Sequence, residues 1–282
     1  MFVSMASDDT FRRLSLAPLD SPSAGLYVTP LSCDRVYFGG DRGICLVTVE
    51  EEGTVAHHAD LFDNQFRRTK RVRLTGPPSR VRVSADGRRA AATVFESGHA
   101  YLLHGFSTRT TVFDMLSGVV LGDLEEFTVW NDGRRIHAAD FNFWGLTFAR
   151  DGNAFFATLD TGGTSYLVKG DIDARELRVV RPGVECPSLS PDNTRIVFKK
   201  RIGSRERGWW QLTMIQLSTM TETPLLKETR SVDDQVDWLD DDQIAYHLTG
   251  SGTPADVWAL RVDGTAAPRM LLAEAYSPAA VR

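Results

Sequence analysis

Short apolar runs rich in β-branched and aromatic residues recur along the chain in a fixed order: a run, a turn built on Asp with Gly or Asn, and a second run. Residues 81–85 lead into Asp86-Gly87, and residues 90–95 follow. The same order returns at 146–149 with Asp151-Gly152 before 154–159, and at 188–190 with Asp192-Asn193 before 195–198. It returns again at 236–239 with Asp240, Asp241 and Asp242 before 244–247. A degenerate copy, Leu31-Ser32-Cys33-Asp34 and then residues 35–38, precedes them all. Asp-Gly and Asp-Asn supply the positive-φ positions of a hairpin turn, and the flanking residues suit pleated strands, so each copy predicts a β-hairpin.

A third and a fourth apolar segment follow each hairpin, for example 165–168 and 177–180, or 212–217 and 224–226. Four short antiparallel strands per unit make a propeller blade. The anchors Asp34, Asp86, Asp151, Asp192 and Asp241 lie 52, 65, 41 and 49 residues apart, which fits blades with loop insertions. A sandwich or β-solenoid uses similar strands, but the chain ends favour a ring. Residues 1–5, 14–16 and 26–28 read as second, third and fourth strands without a first, and residues 276–282 read as a first strand without the rest. Pairing them completes a sixth blade and removes exposed sheet edges. The expectation is one all-β domain over 1–282, a six-bladed propeller whose last blade is shared between 1–28 and 276–282. No stretch shows sustained helical periodicity, and 268–276 makes at most one helical turn.

Composition narrows the function only by exclusion. Of 282 residues, 32 are Lys or Arg and 37 are Asp or Glu, a net charge of −5, which argues against a non-specific nucleic-acid binder. No apolar run approaches the length of a membrane span. There is no G-x-S-x-G, H-E-x-x-H, P-loop, G-x-G-x-x-G or EF-hand loop, so no catalytic residue, metal ligand or cofactor is nominated. Three cysteines cannot form a closed disulfide framework. Cys33 and Cys45 fall in one expected hairpin and could pair in an oxidising compartment; they are expected here to stay unpaired, because sequence does not establish the needed Cα approach.

The repeat resembles that of the TolB-like six-bladed propellers, whose signature Ser-Pro-Asp-Gly, then Ile or Val and an aromatic, stands here as Ser190-Pro191-Asp192-Asn193 with Ile196-Val197-Phe198. The stretches 138–145, 184–188 and 231–235 further resemble actinobacterial TolB-like translocation proteins. That resemblance implies a non-enzymatic binding scaffold in the cell envelope with no established catalytic residues. Such proteins usually carry an N-terminal leader, whereas here Met1 leads directly into a strand without a basic or apolar leader region. An extracytoplasmic place is expected if a leader is missing, a cytoplasmic one otherwise.

In a propeller the innermost strands line the channel, so the crossovers that enter them ring one mouth. Those crossovers carry Arg80, Asp140, Asn142, Trp144, Glu185, Asp233, Asp234 and Gln235, the candidate ligand- or partner-binding set. Sites concentrate on loops held by a rigid scaffold. A protein or peptide partner at this mouth, and a monomeric chain, are expected. Two alternatives stand beside it. A hydrolase or lyase would use Asp140, Glu185, Asp233 and His99 as axial acid and base groups; two or more of these carboxylates in one pocket would favour it. A carbohydrate or small-molecule binder would need Phe141, Phe143 or Trp144 as stacking rings. His99, His137 and His247 fall in different units and are not expected to converge on a metal. Asp240 to Asp242 read as a solvated turn rather than a calcium site. The basic run Arg67, Arg68, Lys70, Arg71 and Arg73 reads as one face of an outer strand, and Trp209 and Trp210 as packed between blades.

Overall fold

The computed structural model describes residues 1–96, 107–204, 207–250 and 253–281, the side chain of Ser23 excepted. The chain begins with β1 (Phe2–Ser4), β2 (Arg13–Leu16) and β3 (Tyr27–Ser32). Blade 1 follows as β4 (Arg35–Gly39), β5 (Arg42–Glu51), β6 (Thr54–Asp63) and β7 (Arg68–Leu74), and blade 2 as β8 (Pro78–Val83), β9 (Arg89–Glu96), β10 (Ser107–Asp114) and β11 (Val120–Asp123). Two strands of an insertion, β12 (Thr128–Asn131) and β13 (Arg134–Ile136), precede blade 3, formed by β14 (Asn142–Phe148), β15 (Ala154–Thr161), β16 (Thr164–Asp171) and β17 (Glu176–Pro182). Blade 4 is β18 (Glu185–Leu189), β19 (Arg195–Ile202), β20 (Trp209–Gln216) and β21 (Thr221–Pro224). Blade 5 is β22 (Asp237–Trp238), β23 (Gln243–Thr249), β24 (Ala255–Arg261) and β25 (Arg269–Leu272). The last strand, β26 (Ala275–Tyr276), joins the first three in the order β26-β1-β2-β3, so the two ends of the chain build blade 6.

The fold is therefore six blades of four antiparallel strands in a ring, blade 3 widened to six strands by β12 and β13. The turns form for the reason their sequence suggests. Gly87, Gly152 and Asn193 sit at φ 68°, 70° and 60°. Asp86, Asp151, Asp192 and Asp240 each accept the backbone N–H two residues on, at 2.7–3.0 Å. The serine that opens the motif has a role as well. Ser84 and Ser190 donate to the turn aspartate and accept the backbone N–H of the first residue of the next strand. Six apolar clusters fill the six seams between neighbouring blades, among them Ile44, Val81 and Phe113 between blades 1 and 2, and Trp238, Tyr246 and Val197 between blades 4 and 5. With a seam on either side, each blade's sheet is buried on both faces, which explains the apolar inner strands.

Two expectations need correction. In blade 1 the pattern places residues 31–33 and 35–38 as first and second strands. Residues 27–32 instead form the outer strand of blade 6, and β4 is the innermost strand of blade 1. Asp34 is not a hairpin turn: it lies in the crossover and pairs with Arg12, while the hairpin turns at Gly40, φ 59°. The stretch 268–276 holds β25 over Arg269–Leu272, the fourth strand expected there, and β26. The basic run lies along the outer strand β7 but occupies both faces: Lys70 shares parity with Val72 and Leu74, while Arg71 forks onto Asp60 at 2.7 Å and Arg68, beyond a bulge in the strand, reaches the same carboxylate at 3.4 Å.

Cys33 and Cys45 are disulfide-bonded, contrary to expectation. Because blade 1 is shifted by one strand, Cys33 sits on the crossover from blade 6 and Cys45 on β5, with Cα atoms 5.3 Å apart. Cys186 is free and buried. Closing a loop across 12 residues should contribute about 3 kcal/mol by restricting the unfolded chain. Reduction, or replacement of both cysteines by alanine, is expected to lower the unfolding free energy by that amount and shift the denaturant midpoint down accordingly, measured as chemical unfolding with and without reductant.

The insertion before blade 3 carries the most displaced carboxyl of the ordinary range. Burial pushes Glu125 up to about 8 from 4.5, against the hydrogen bond it accepts from the Thr110 N–H. A carboxyl raised in the folded state stabilises fully below its unfolded pKa, and that contribution is lost as pH rises through the folded value. Unfolding free energy should fall between about pH 5 and 8 by roughly 1–3 kcal/mol. Glu125→Gln keeps the acceptor and should flatten that decline, read as urea unfolding at several pH values.

Candidate functional site

The channel is stoppered at mid-depth by side chains that reach across it. Arg82, on β8, donates through Nη2 to the carbonyls of Gln235 and Val236 at 3.1 and 2.8 Å, joining blade 2 to the strand entering blade 5. The Gln235 amide reaches on to the carbonyls of Gly145, Leu146 and Pro187 at 2.8–3.1 Å, joining blades 3 and 4. Trp238 donates its indole N–H to Ser188 at 3.0 Å, and Tyr37 donates its hydroxyl to Asp237 at 2.6 Å. This hub is buried, with Arg82 at 7% and Gln235 at 4% exposure. Pockets lie on either side of it, one lined by Gly40, Thr147 and Pro191 and the other by Arg80, Trp144 and Asp233.

The hollow at the crossover mouth, about 390 Å³, is the candidate site. Its walls come from four blades: Arg80 from β8, Trp144 from β14, Glu185 from β18, Lys199 and Arg201 from β19, Trp210 from β20, and Asp233 from the crossover into blade 5. Gly145 must be glycine here. Its φ is 64°, and a Cβ would come within 2.7 Å of the Cys186 Cα, where neighbouring inner strands close in on the axis. The dominant feature is Trp210. Its ring lies between the Lys199 ammonium, 4.3 Å from the centroid, and the Arg201 guanidinium, at 3.8 Å. Lys199 is 4% exposed and pairs with Asp233, whose side chain is 67% exposed; Arg80 approaches the same carboxylate at 3.9 Å. Arg201 reaches Glu185 at 3.5 Å. The two carboxyls are pushed apart. Burial raises Glu185 against the pull of Lys199 and Arg201. Burial also opposes ionisation of Asp233, but Lys199 and Arg80 outweigh it and hold that carboxyl below its usual range.

Of the candidate set, Arg80, Trp144, Glu185 and Asp233 meet in this hollow. Asp234 and Gln235 lie below it. Asp234 contacts His247 Nδ1 at 2.7 Å, and with Arg80 and Arg35 nearby the imidazole holds its carboxyl well below the usual range despite burial. Asp140 and Asn142 do not line it. Asp140 accepts the Thr161 hydroxyl and the Gly162 N–H at 2.6 and 2.7 Å, capping the β15–β16 turn. Asn142 accepts the Thr108 N–H at 2.8 Å and stitches blade 2 to blade 3. Short polar side chains at a crossover satisfy nearby backbone donors before they reach the axis.

Phe143 is wholly in the core and Phe141 packs against it, so of the three named rings Trp144 alone faces the mouth. His137 meets Phe141 edge-on, and His99 and His104 lie outside the described residues. No group of three or more His, Cys, Asp and Glu suited to a metal ion occurs among the described residues. Trp209 is exposed and Trp210 lines the hollow; neither is packed between blades as expected. Lys199 and Arg201 went unforeseen, although they share strand parity with Val197, which packs against blade 5.

No family model and no curated protein matches the chain. Solved structures do. TolB from Acinetobacter baumannii superposes with a TM-score of 0.60 at 16% identity, over 99% of this chain and 64% of that one. A putative TolB from Agrobacterium tumefaciens gives 0.59 at 12% identity, over 92% of this chain and 87% of that one. The fold is that of a TolB-like six-bladed propeller. The β-propeller domain of Myceliophteria thermophila Cps50 (Swd1) follows at 0.51 and 10% identity, over 93% and 81% of the two chains. The TolB-like propeller described here thus spans less than two thirds of the Acinetobacter protein's length. No helix among the described residues is long and apolar enough to cross a membrane.

Proposed function

We propose that this TolB-like propeller is a binding scaffold that receives an extended segment of a protein partner in the crossover-mouth hollow. The observation that carries the reading is the Trp210 ring in the mouth hollow, with the Lys199 ammonium 4.3 Å and the Arg201 guanidinium 3.8 Å from its centroid. A stacked aromatic in a pre-ordered pocket is the kind of anchor that concentrates binding energy at interfaces. A pocket shut beneath by the hub suits a short inserted segment, not a molecule passing through. The likeness of fold to TolB structures supports a scaffold role by analogy. The Cys33–Cys45 bond fits an oxidising compartment and hence a place outside the cytoplasm.

The second reading, an enzyme, draws support from one observation: Glu185 and Asp233 share the pocket with their pKa values driven in opposite directions. Each is tied to a cation, which suits holding charge better than exchanging protons.

A photo-crosslinking amino acid at Trp144, with one on the outer strand β7 as control, tests the proposal in cells that make the protein. A discrete protein adduct from the mouth alone, lost in Trp210→Ala, is expected. Absence of any mouth adduct, with turnover of a small molecule by the purified chain, would favour the enzyme.

A further inference from the structure

We infer that the channel holds one monovalent anion of chloride size, bound below the mouth hollow by the guanidinium groups of Arg35, Arg80 and Arg82. These three side chains line a cavity of about 20 Å³ together with Asp234, Gln235 and Ser277. That volume accepts one sphere the size of a water molecule or a halide and excludes sulfate or phosphate.

The charge in its walls does not balance. Arginine stays protonated in proteins, so three fixed positive charges face one carboxylate. That carboxylate, Asp234, is already engaged by His247 Nδ1 at 2.7 Å and accepts the backbone N–H groups of Gln235 and His247 at 2.8 and 3.0 Å. Arg82 spends its donors on neutral carbonyls. Arg80 bonds to the carbonyls of Ser79 and Asp233 at 3.1 and 3.4 Å and meets the Asp233 carboxylate only at 3.9 Å, from the mouth side. Arg35 lies 4.1 Å over the Tyr276 ring and has no protein oxygen as hydrogen-bond acceptor among the described residues. The Nε atoms of Arg80 and Arg82 are buried and unpartnered. Burial and the neighbouring Arg80 work against the charge on Arg35, whereas on Arg80 the carboxylates of Asp234 and Asp233 outweigh burial.

Uncompensated buried charge is costly, and a buried donor without a partner calls for an ordered water or ion. A water would satisfy the donors but leave the excess charge. A halide answers both, and the ring places it where three blades and the closing strand converge. The site shares Arg80 with the wall of the mouth hollow but needs no partner there.

The test uses the purified protein in two measurements. Crystals grown with sodium bromide are expected to show an anomalous peak in this cavity within about 3.5 Å of guanidinium nitrogens. Thermal unfolding in 0.1 M sodium chloride should exceed that in sodium gluconate of equal ionic strength by roughly 2–4 °C. Arg35→Met, which removes a side chain with no hydrogen bond to the protein, should abolish that difference. Water density without anomalous signal would overturn the inference. So would equal melting in both salts, or a peak seen only at molar bromide, which would mark an adventitious ion only. A chloride effect that survives Arg35→Met would overturn it too. Should that variant fail to fold, the bromide map and the salt comparison on the unaltered chain decide.

Discussion

Ending the chain after Ala273 is expected to abolish cooperative folding at 25 °C. The removed segment supplies the innermost strand of blade 6, and β26 pairs with β1 through Val3 with Tyr276 and Ser4 with Ala275. It also supplies Glu274, whose carbonyl accepts the Met5 N–H at 2.7 Å, and Ala279, which donates to the Met1 carbonyl at 2.9 Å. Ser277 Oγ accepts the Val36 N–H at 3.1 Å, and Asp237 accepts the Ala280 N–H at 2.6 Å, so the segment binds blades 1 and 5 as well. Tyr276 stacks against His247 at 4.0 Å and beneath Arg35 at 4.1 Å. Losing these contacts exposes β1 as an unpaired edge and opens an apolar seam on each side of blade 6. A domain of this kind holds about 5–15 kcal/mol in all, and the lost burial and hydrogen bonds are of that order. Near-ultraviolet circular dichroism and the sharpness of thermal unfolding are the readouts. A synthetic peptide of residues 274–282 added in trans should restore both in proportion to its concentration. A truncated chain that melts sharply without peptide would show that the ring does not depend on this closure.

The parts of this architecture that could be read from the chain are those in which local chemistry and tertiary role coincide. Asp86-Gly87, Asp151-Gly152 and Asp192-Asn193 make the same turn for the same local reason wherever they stand, so they mark blades without knowledge of the ring. The terminal half-blade could be read because residues 276–282 repeat the pattern that opens blade 4, with Ser277-Pro278 in place of Cys186-Pro187; the backbone agrees, Ser277 at φ 50° matching Cys186 at φ 48°. Blade 1 was misread because Asp34 mimics a turn aspartate while serving an ion pair with Arg12, and because the third strand, with His57, His58 and Asp60, looks polar until its partners on β5 and β7 are known. The site was half legible for a related reason. Position in the blade places Arg80, Glu185 and Asp233 near the mouth. It does not reveal that Asp140 and Asn142 will turn to backbone donors beside them. Lys199 and Trp210 are the reverse case. Residues of those types near a polar hairpin ordinarily face solvent, and only the approach of β19 and β20 to the crossover into blade 5 buries the lysine at 4% exposure.

Gln235→Leu is expected to destabilise the protein by about 3–5 kcal/mol, more than loss of the disulfide. One amide nitrogen here faces three carbonyls from two blades, at 2.9, 3.1 and 2.8 Å, and the backbone carbonyl of the same residue receives Arg82 at 3.1 Å from a third. Leucine has nearly the same volume, so packing is little disturbed and the cost falls on polarity. Three carbonyls buried at the axis lose their donor, and each orphaned group carries a desolvation penalty of roughly 1–3 kcal/mol, moderated where a second donor or a water can reach it. Gln235→Glu separates polarity from charge. It keeps the shape but sets an acceptor against the same carbonyls, so it should be at least as damaging at neutral pH and recover in part as acid protonates the new carboxyl, which can then donate. Urea unfolding of the three proteins at pH 5 and pH 7.5 distinguishes these outcomes. If Gln235→Leu costs less than about 1 kcal/mol at both, the hub does not hold the blades together and the floor of the mouth hollow rests on the seams alone. A large loss confined to this position, with Trp210→Ala near neutral, would instead assign stability to the axis and leave the pocket wall free for binding. That division is what a scaffold needs, since the residues that contact a partner can then vary without loosening the ring that presents them.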